Sequence, residues 1–397
     1  MHVLVVGGGH ASLPLLASAR DLTGHEVTLV SDCEHLWYSG MTPEYLGGVY
    51  TREDVTIDLR AICRGEGVRF IAERAVHLDP FERFVETASG LRLPYDVLAV
   101  DVGATNPARD RAPDAVRTKP LHRIAALDAF LREARETSNR KTLVIVGGGA
   151  AGVEVALNVS ARPDPLALTI IEPGDALLGG FPKRAQRWAA QTLRERGVSL
   201  RLGAAVDRVE GEHVRLTDGS SLRADRVLWA TGSVGQGWLT DALQTGKRGF
   251  VRVSASLQAR GHPRIFVAGD AALVDGHEDL ARVGVHAVKQ GPTLRENVHL
   301  FTEALARREA PETIALQSWR PYPTAPLILS TGNRDGLFVA GPLAIRGTWA
   351  LALKHRVDRK WIEPYLSTTP SWDRRLDLRA ASDGPVVSAS ESASGRR

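Results

Sequence analysis

The chain has 397 residues, of which 43% are hydrophobic and 24% charged, and its formal net charge is +4. This length exceeds what one ordinary hydrophobic core serves and predicts two or three domains. The basic residues are scattered along the chain, so the small positive excess predicts a solvated surface and no nucleic-acid partner.

The first half of the chain begins with a strand, a glycine-rich turn and a helix. The runs His2–Val6 and Glu26–Val30 are β-branched and aliphatic, which predicts buried parallel strands of a βαβ unit. Further strands are predicted at 68–71 and 96–100. A loop rich in proline and arginine at 106–120 predicts a hinge between domains.

The second half repeats this pattern. Residues 142–149 resemble residues 2–9, and they predict a second βαβ unit. Its further strands are expected at 168–171, 198–202, 226–230 and 264–268, with a hairpin at 214–222. Strand and helix character continues beyond residue 319, and the Ser/Ala/Gly-rich residues 380–397 predict a disordered tail.

The first glycine-rich turn fits the pattern Gly-x-Gly-x-x-small. Gly7 makes the tight turn, and Gly9 lets the backbone approach a pyrophosphate group. The N–H groups that follow would hold the phosphates at a helix N-terminus. Serine replaces the usual third glycine or alanine, and the next strand ends in Ser31 and Asp32, where a ribose-binding acid is expected. The candidate ligands of this half are Gly7, Gly9, His10, Ala11, Ser12 and Asp32.

The second turn, with Gly147, Gly149 and Gly152, fits the full pattern. A tight turn without a ligand would explain one such match, but two matches in strand–turn–helix context favour two dinucleotide sites. Glu172 ends the next strand, where a carboxylate accepts from a ribose 2′-hydroxyl and favours NADH over NADPH. Arg184 and Arg187 leave NADPH open.

Four further motifs point to a family. Residues 228–232, with Thr231 and Gly232, look like an Ala-Thr-Gly return turn, and 265–270, with Gly269 and Asp270, look like a strand that ends at a flavin. Residues 282–292, with His286, resemble a helix at the isoalloxazine ring, and Glu154 matches an acid near the nicotinamide. The chain thus resembles the pyridine nucleotide-disulfide oxidoreductase superfamily, in particular its type II NADH dehydrogenase-like branch.

A narrower resemblance rests on fewer residues. Residues 38–43 and 57–60 look like a group whose members occur alone or fused to selenophosphate synthetase (selenide, water dikinase). The segment 347–361, with Lys354 and 357–359, also fits that group. The resemblance extends over about residues 1–366.

The family resemblance implies an α/β fold like that of glutathione reductase, with a nicotinamide domain inserted in an FAD domain. The expected boundaries are 1–115 and 236–315 for FAD, 116–235 for NAD(P)H, 316–366 for a C-terminal domain that closes over the flavin, and 367–397 for a disordered tail. Hydride would pass from nicotinamide C4 to flavin N5 and then to a second substrate.

The resemblance also assigns roles to single residues. Asp270 would bind the ribityl chain of FAD, and Gly103 and Gly269 join the FAD ligands. The helix from about residue 283 would direct its dipole to the flavin, with His286 adding to that field. The candidate catalytic residues are Glu154, Lys289 and Gln290, and no metal site is expected.

The chain also departs from its relatives. Cys33 and Cys63 form neither a close redox pair nor a metal pattern, which makes a dithiol relay improbable and predicts two reduced thiols in a cytoplasmic protein. Gln290 matches the second of two quinone-site glutamines, but Val285 replaces the first. We therefore expect an NAD(P)H oxidoreductase acting on a quinone or another small acceptor. The alternatives are a redox enzyme of selenium or sulfur metabolism and a slow redox sensor.

Membrane contact is a separate question. No segment reaches the roughly 18 apolar residues that span a bilayer. An apolar stripe at helical spacing, flanked by basic residues, predicts either peripheral contact at the inner face of the cell membrane or packing on the FAD domain. A homodimer is also open. The stripe consists of Ala350, Leu353, Val357, Trp361 and Tyr365, flanked by Lys354, Arg356, Arg359 and Lys360.

Overall fold

The computed structural model describes residues 1–107, 111–137, 139–322 and 326–372. The disordered tail predicted at 380–397 lies outside the described residues, as do residues 108–110 of the predicted hinge loop.

The first hundred residues build one half of a large sheet and several small elements around it. The elements are β1 (His2–Val6), α1 (Leu13–Leu16), β2 (Glu26–Val30), β3 (His35–Trp37), α2 (Thr42–Leu46), α3 (Arg52–Val55), β4 (Thr56–Asp58), α4 (Leu59–Glu66), β5 (Arg69–Ile71), β6 (Ala75–Asp79), β7 (Phe84–Thr87), β8 (Arg92–Pro94) and β9 (Val97–Val100). β1 is apolar throughout most of its length because it lies between β2 and β9, both parallel to it. Local signals set the short helices: Thr51 and Asp54 form a capping box at the start of α3.

The next segment forms a second, fully parallel sheet. Its elements, with a small antiparallel sheet of β14 to β16, are β10 (Val116–Arg117), α5 (Ile124–Glu136), β11 (Lys141–Val146), α6 (Ala150–Ser160), β12 (Leu166–Glu172), α7 (Lys183–Glu195), β13 (Ser199–Leu202), β14 (Val206–Glu210), β15 (His213–Leu216), β16 (Ser221–Arg223) and β17 (Arg226–Trp229). The strand order is β10-β17-β11-β12-β13. The carboxyl ends of these strands therefore meet at one edge, where ligands of doubly wound sheets bind.

The chain then returns to the first sheet. The elements are α8 (Gly237–Thr240), β18 (Val251–Val253), β19 (Gln258–Ala259), β20 (His262–Val267), β21 (Ala272–Val274) and α9 (Gly284–Ala306). β20 pairs with β9 in parallel and completes the order β21-β18-β19-β20-β9-β1-β2-β5. The second sheet is thus an insertion in the chain of the first.

The C-terminal part is a three-stranded antiparallel sheet covered by a helix. Its elements are β22 (Leu327–Ser330), β23 (Gly336–Ala340), β24 (Leu343–Gly347) and α10 (Thr348–Ile362). Six short 3-10 helices connect elements of the described chain, at Ala19–Asp21, Leu121–Arg123, Lys247–Gly249, Gly269–Ala271, Pro311–Thr313 and Glu363–Tyr365. Among the described residues, no helix combines the length and apolar character needed to cross a membrane.

The predicted α/β class with two Rossmann-like sheets is confirmed, but the interpretation of α10 needs correction. The predicted apolar stripe is divided between two faces: Ala350 is buried, whereas Leu353 and Val357 are exposed. Lys354, predicted to flank the stripe at the surface, has a side chain only 6% exposed. That prediction was wrong because residues four apart share a helix face, which places Lys354 beneath Ala350 on the inner side.

Candidate active site

The second glycine turn leaves room for a ligand at the start of α6. Gly147 has φ +114°, and a Cβ on Gly152 would lie 2.1 Å from the Gly147 carbonyl oxygen, so glycine lets the helix approach the strand. A Cβ on Gly149 would meet nothing within 4 Å. No side chain caps α6. The first N–H groups of this helix and its dipole are therefore free for an anion.

Glu172 lies at the rim of this turn. Its Oε2 accepts from the Gly148 N–H at 2.6 Å and its Oε1 from the Gly174 N–H at 2.9 Å. A carboxylate oxygen has further acceptor capacity, which a ribose hydroxyl could use. Arg184 and Arg187 are exposed on α7 and leave the choice between NADH and NADPH open.

The predicted return turn at Thr231 and Gly232 lies against the second glycine turn. A Cβ on Gly147 would lie 2.8 Å from Thr231 Cγ2. The side-chain amide of Asn106 donates to the carbonyl oxygens of Thr231 and Gly232, at 2.8 Å each. The loop between the two sheets is thus fastened beside the second glycine turn.

The first glycine turn explains why serine replaces the usual third small residue. Ser12 is fully buried, and its Oγ donates to the carbonyl oxygens of Gly7 and Gly9, both at 3.0 Å. Gly7 has φ +90°. The serine hydroxyl therefore joins the two glycines of the turn, which only a small hydroxyl side chain could do there.

Sequence reasoning missed Asp101, a buried carboxylate at this turn. Its Oδ2 accepts from the N–H groups of Ala11 and Ser12, at 2.7 and 2.9 Å. Burial raises the pKa of Asp101 to about 6 against the effect of these bonds, and Asp270 adds to the rise. The available signal was its place directly after β9, at the same sheet edge as Asp270.

Asp270 has a cation partner that the sequence does not reveal. Lys119 Nζ lies 2.5 Å from Asp270 Oδ2, and both side chains are about one fifth exposed (23% and 22%). Gln290 is buried, and its Oε1 accepts from the Gly269 N–H at 2.6 Å. Gln290 therefore supports the turn that carries Asp270.

The other two predicted residues of α9 lie on different sides of the helix. His286 is buried edge-on to Trp319, with ring centroids 6.0 Å apart. Burial lowers the pKa of His286, against a smaller opposing effect of Asp270. Lys289 is exposed, and its ammonium lies 5.7 Å from the ring centroid of Tyr322. The structure does not bring Lys289 to the other candidate residues.

Three aromatic rings connect the first glycine turn to the C-terminal part. Trp361 stacks on Tyr38 at 4.4 Å between centroids and on His10 at 5.4 Å. Burial lowers the pKa of His10 to about 4, although Asp270 opposes this shift. His10 is therefore neutral at neutral pH.

Glu154 faces the C-terminal sheet. Its Oε1 accepts from the Ser330 N–H at 2.9 Å and is 3.0 Å from Ser330 Oγ. Burial raises the pKa of Glu154 to about 7, while the charge of Lys354 opposes the rise. The group is thus balanced between its two protonation states near neutral pH.

Lys354 and Asp358 attach α10 to the first domain. Lys354 Nζ is 2.7 Å from Asp358 Oδ2 and donates to the Gly40 carbonyl, and Tyr38 donates to Asp358 Oδ1 at 2.9 Å. Burial alone would lower the pKa of Lys354, but the carboxylates of Asp358, Glu154 and Glu44 raise it well above its usual range. Lys354 is therefore a buried cation at neutral pH.

At the same carboxyl edge of the first sheet, just after β2, Asp32 is exposed beside Cys33 and His122. Among the described residues these three form the one group whose ligand atoms, within 4.8 Å of one another, could hold a metal ion. Gly103 has φ +64°, and a Cβ added there would meet no protein atom within 4 Å, so the space beside this residue is open. Both cysteines of the chain are free.

The residues present fit two dinucleotides. The α6 N-terminus with Glu172 suits a pyrophosphate and an unphosphorylated ribose. At the first turn the N–H groups of Ala11 and Ser12, expected to hold phosphate, instead donate to Asp101. Gly7, Gly9 and Asp32 lie there as predicted from the sequence, and Asp270 keeps carboxylate surface beyond its bond to Lys119. The predicted ligands of each half lie around its own turn, whereas Lys289 does not join them.

Comparisons with known proteins agree with this arrangement. The chain is 26% identical to an external alternative NAD(P)H-ubiquinone oxidoreductase B1 of Solanum tuberosum over 71% of this chain and 57% of that protein. It is 22% identical to a type II NADH:quinone oxidoreductase of Haemophilus influenzae over 88% and 90%. The NDH2 of Plasmodium falciparum, solved with NADH, superposes with a TM-score of 0.72 at 14% identity over 96% and 97%.

The chain thus spans little more than half the length of the potato relative but nearly all of the bacterial one. Its similarity to the parasite structure reflects the shared fold. The family profile of the pyridine nucleotide-disulphide oxidoreductases matches residues 1–291, which cover both large sheets. The chain belongs to the pyridine nucleotide-disulphide oxidoreductase family.

Proposed function

We propose that the chain is an FAD-dependent NAD(P)H oxidoreductase that passes electrons to a quinone or another small acceptor without a redox-active disulfide. The observation that carries this proposal is the open N-terminus of α6 with Glu172 at its rim, together with Asp270 at the edge of the other sheet. When bound, the two cofactors supply hydride transfer from nicotinamide to flavin. The chain supplies binding, orientation and proton handling.

The protein groups divide this work. Gly149 and the α6 N-terminus bind the nucleotide phosphates, and Glu172 holds the ribose and selects NADH. Asp270, held by Lys119, orients the ribityl hydroxyls. Gln290 acts by supporting the Asp270 turn, in place of the acceptor contact expected from the sequence. His286 lies on the inner face of α9, where its neutral ring fills space near Asp270.

Glu154 is the proposed proton carrier of the acceptor site. Reduction of a quinone by NADH consumes one proton from solvent, so a group that binds and releases a proton near neutral pH is required. Glu154 has this property because burial and the Lys354 cation act on it in opposite directions.

The absence of a dithiol relay is supported by the two free cysteines. Cys63 is buried, and burial raises its pKa to about 11, which makes the reactive thiolate rare. Cys33 is only partly buried, but burial raises its pKa too. Neither thiol is suited to shuttle electrons from a flavin.

We infer membership of the narrower group, found alone or fused to selenophosphate synthetase, from a contact between its two motifs. Residues 38–43 and 354–359 are far apart in sequence, yet Tyr38 bonds Asp358 and Lys354 bonds Gly40. This favours one structural unit over two chance matches. A role in selenium or sulfur metabolism rests on that resemblance alone.

We also propose that the outer face of α10 lies on an anionic lipid surface. Trp349, Leu353 and Val357 are 47%, 40% and 56% exposed at a spacing of four residues. Arg356 and Lys360 are exposed beside them. In a flotation assay with anionic vesicles, the wild-type protein should float with the lipid and the Val357→Glu variant should not. Sedimentation as a dimer without vesicle binding would instead assign this face to a second copy of the chain.

The main test is anaerobic titration of the FAD-loaded protein with NADH and NADPH, followed by rapid mixing with acceptors. Fast bleaching and fast reoxidation by a soluble quinone is the expected result. Fast bleaching without reoxidation by quinones would favour selenium or sulfur acceptors. Slow bleaching with a stable charge-transfer complex would favour a sensor. A chain that cannot be loaded with FAD would refute all three.

A further inference from the structure

A pair of titratable side chains connects the surface of α10 to the buried cation Lys354. His355 Nε2 lies 2.7 Å from Glu44 Oε1. The imidazole side chain is 21% exposed, whereas the carboxylate is only 2% exposed. The pair therefore joins a group that solvent reaches to one that solvent does not.

The second oxygen of Glu44 faces inward. Glu44 Oε2 is 3.5 Å from Lys354 Nζ and accepts no hydrogen bond among the described residues. Burial would raise the pKa of Glu44, but the bond to His355 and the charge of Lys354 lower it below its usual range. Glu44 is thus an ionised carboxylate between the His355 imidazole and the Lys354 cation.

The electrostatic effect continues to Glu154. The charges of Lys354 and Glu44 act on the pKa of Glu154 in opposite directions. A proton moved from His355 to Glu44 removes the negative charge of Glu44 and therefore changes the pKa of Glu154. The charged and titratable groups packed around the pair, from α6, α10 and the segments beside α2, are Tyr38, Tyr50, Glu154, Lys354, Asp358 and Arg359.

A purely structural role for the pair explains less. Lys354, Asp358 and Tyr38 already attach α10 to the first domain through well-formed bonds. Glu44 Oε2 is paired only with Lys354, at 3.5 Å, and makes no closer hydrogen bond among the described residues. Such a loosely held oxygen beside a solvent-accessible imidazole favours a role in which that oxygen is used. Tyr50 does not compete for this role, because burial and Glu44 raise its pKa to about 12.

We propose that His355 and Glu44 are the proton-uptake pair of the acceptor site, an inference that rests on the proposed quinone reduction. An imidazolium N–H bond breaks as an O–H bond forms at Glu44, and the carboxyl group turns that hydrogen toward Lys354. Lys354 first gives an ammonium proton toward Glu154, the lone pair left on its nitrogen then takes the Glu44 proton, and His355 is reprotonated from solvent. One proton moves inward and no electron moves.

Lys354 and Glu154 interact through their charges but form no ion pair within the described part of the chain, so the inferred final transfer needs a bridging water or the acceptor oxygen. His355 and Glu44 act through Lys354 and do not touch the acceptor.

The first test needs no turnover. In the full chain loaded with FAD and carrying ¹³C-labelled histidine, NMR follows protonation of His355 in the wild type and in Glu44→Gln. In Glu44→Gln the proton affinity of His355 should be severalfold lower, because the carboxylate that stabilises the imidazolium is lost while the positive charge of Lys354 remains. An unchanged titration would overturn the inference whatever the activity of the enzyme.

The second test separates the two half-reactions. His355→Ala should leave flavin reduction by NADH unchanged and slow reoxidation by a soluble quinone about tenfold, with a matching delay of proton uptake in a pH-indicator trace. Added imidazole should restore the rate. His299→Ala, at an exposed site far along α9, is the matched control.

The outcomes are distinct. A slow variant that imidazole does not rescue, and that melts at lower temperature, would show a structural pair and overturn the inference. A variant that reoxidises at the wild-type rate would also overturn it. Failure of NADH to reduce the wild-type flavin would instead refute the proposed function, and the NMR result would still decide whether the pair is coupled.

Discussion

Replacing Gly149 with alanine should separate nucleotide binding from folding. The residue is the N-cap of α6 and has φ −73°, which alanine adopts without strain. An added Cβ would meet nothing within 4 Å of the protein. It would instead project into the space where we expect the pyrophosphate of NADH.

The expected magnitudes differ for the two properties. Alanine is a poorer N-cap than glycine by about 0.5–1 kcal/mol, while the lower entropy of its unfolded chain stabilises the protein by about 0.4–1 kcal/mol. The free energy of unfolding should therefore change by less than about 0.5 kcal/mol. Loss of close approach to the phosphates should weaken NADH binding at least about tenfold, which corresponds to about 1.4 kcal/mol.

The assay is calorimetric titration of the FAD-loaded protein with NADH under anaerobic conditions, alongside unfolding in urea. Gly152→Ala is the matched control in the same turn. Its Cβ would lie 2.1 Å from the Gly147 carbonyl oxygen, so we expect a loss of about 1–3 kcal/mol in stability.

A Gly149→Ala protein that binds NADH with wild-type affinity would refute the assignment of this turn to the nucleotide. Equal loss of stability in both variants would contradict the open space seen at Gly149. FAD content should stay unchanged in Gly149→Ala, because the first glycine turn lies in the other sheet.

Three further predictions concern single side chains. Glu172→Ala should reduce the preference for NADH over NADPH about tenfold in flavin-reduction kinetics, and an unchanged ratio would remove Glu172 from the ribose site. Ser12→Ala should lower the stability of the FAD-loaded protein by about 1–2 kcal/mol in urea, because the partly buried carbonyls of Gly7 and Gly9 lose the hydroxyl that they share; a neutral result would contradict the role of this hydroxyl. Glu154 has a pKa raised to about 7, so its charge lowers stability as pH rises from about 4.5 to 7. Glu154→Gln should remove that part of the pH dependence and add up to about 3 kcal/mol at pH 8, and parallel stability–pH curves for the two proteins would exclude a buried, perturbed carboxyl.

Features set by local residue order were predictable from the sequence. Apolar runs followed by glycines predicted the central strands of both parallel sheets, since a strand buried on both faces is apolar throughout. The spacing from Gly149 to Glu172 predicted an acid at the second turn because the length of a βαβ unit is narrowly limited. Even the departure at Ser12 was visible, although its two hydrogen bonds were not.

Contacts between distant segments were decided only by the tertiary structure. Lys119 and the pair Glu44–His355 carry no local signal, and the place of Asp101 directly after β9 does not reveal its partners, because each acquires its partner from residues far away in the chain. The hydrophobic pattern of α10 was misleading for the same reason. Its inner face buries Lys354, which is stable there only because carboxylates from other elements surround it. Sequence thus determined two glycine turns on two parallel sheets, and the packing of the C-terminal part determined which charged groups surround Glu154.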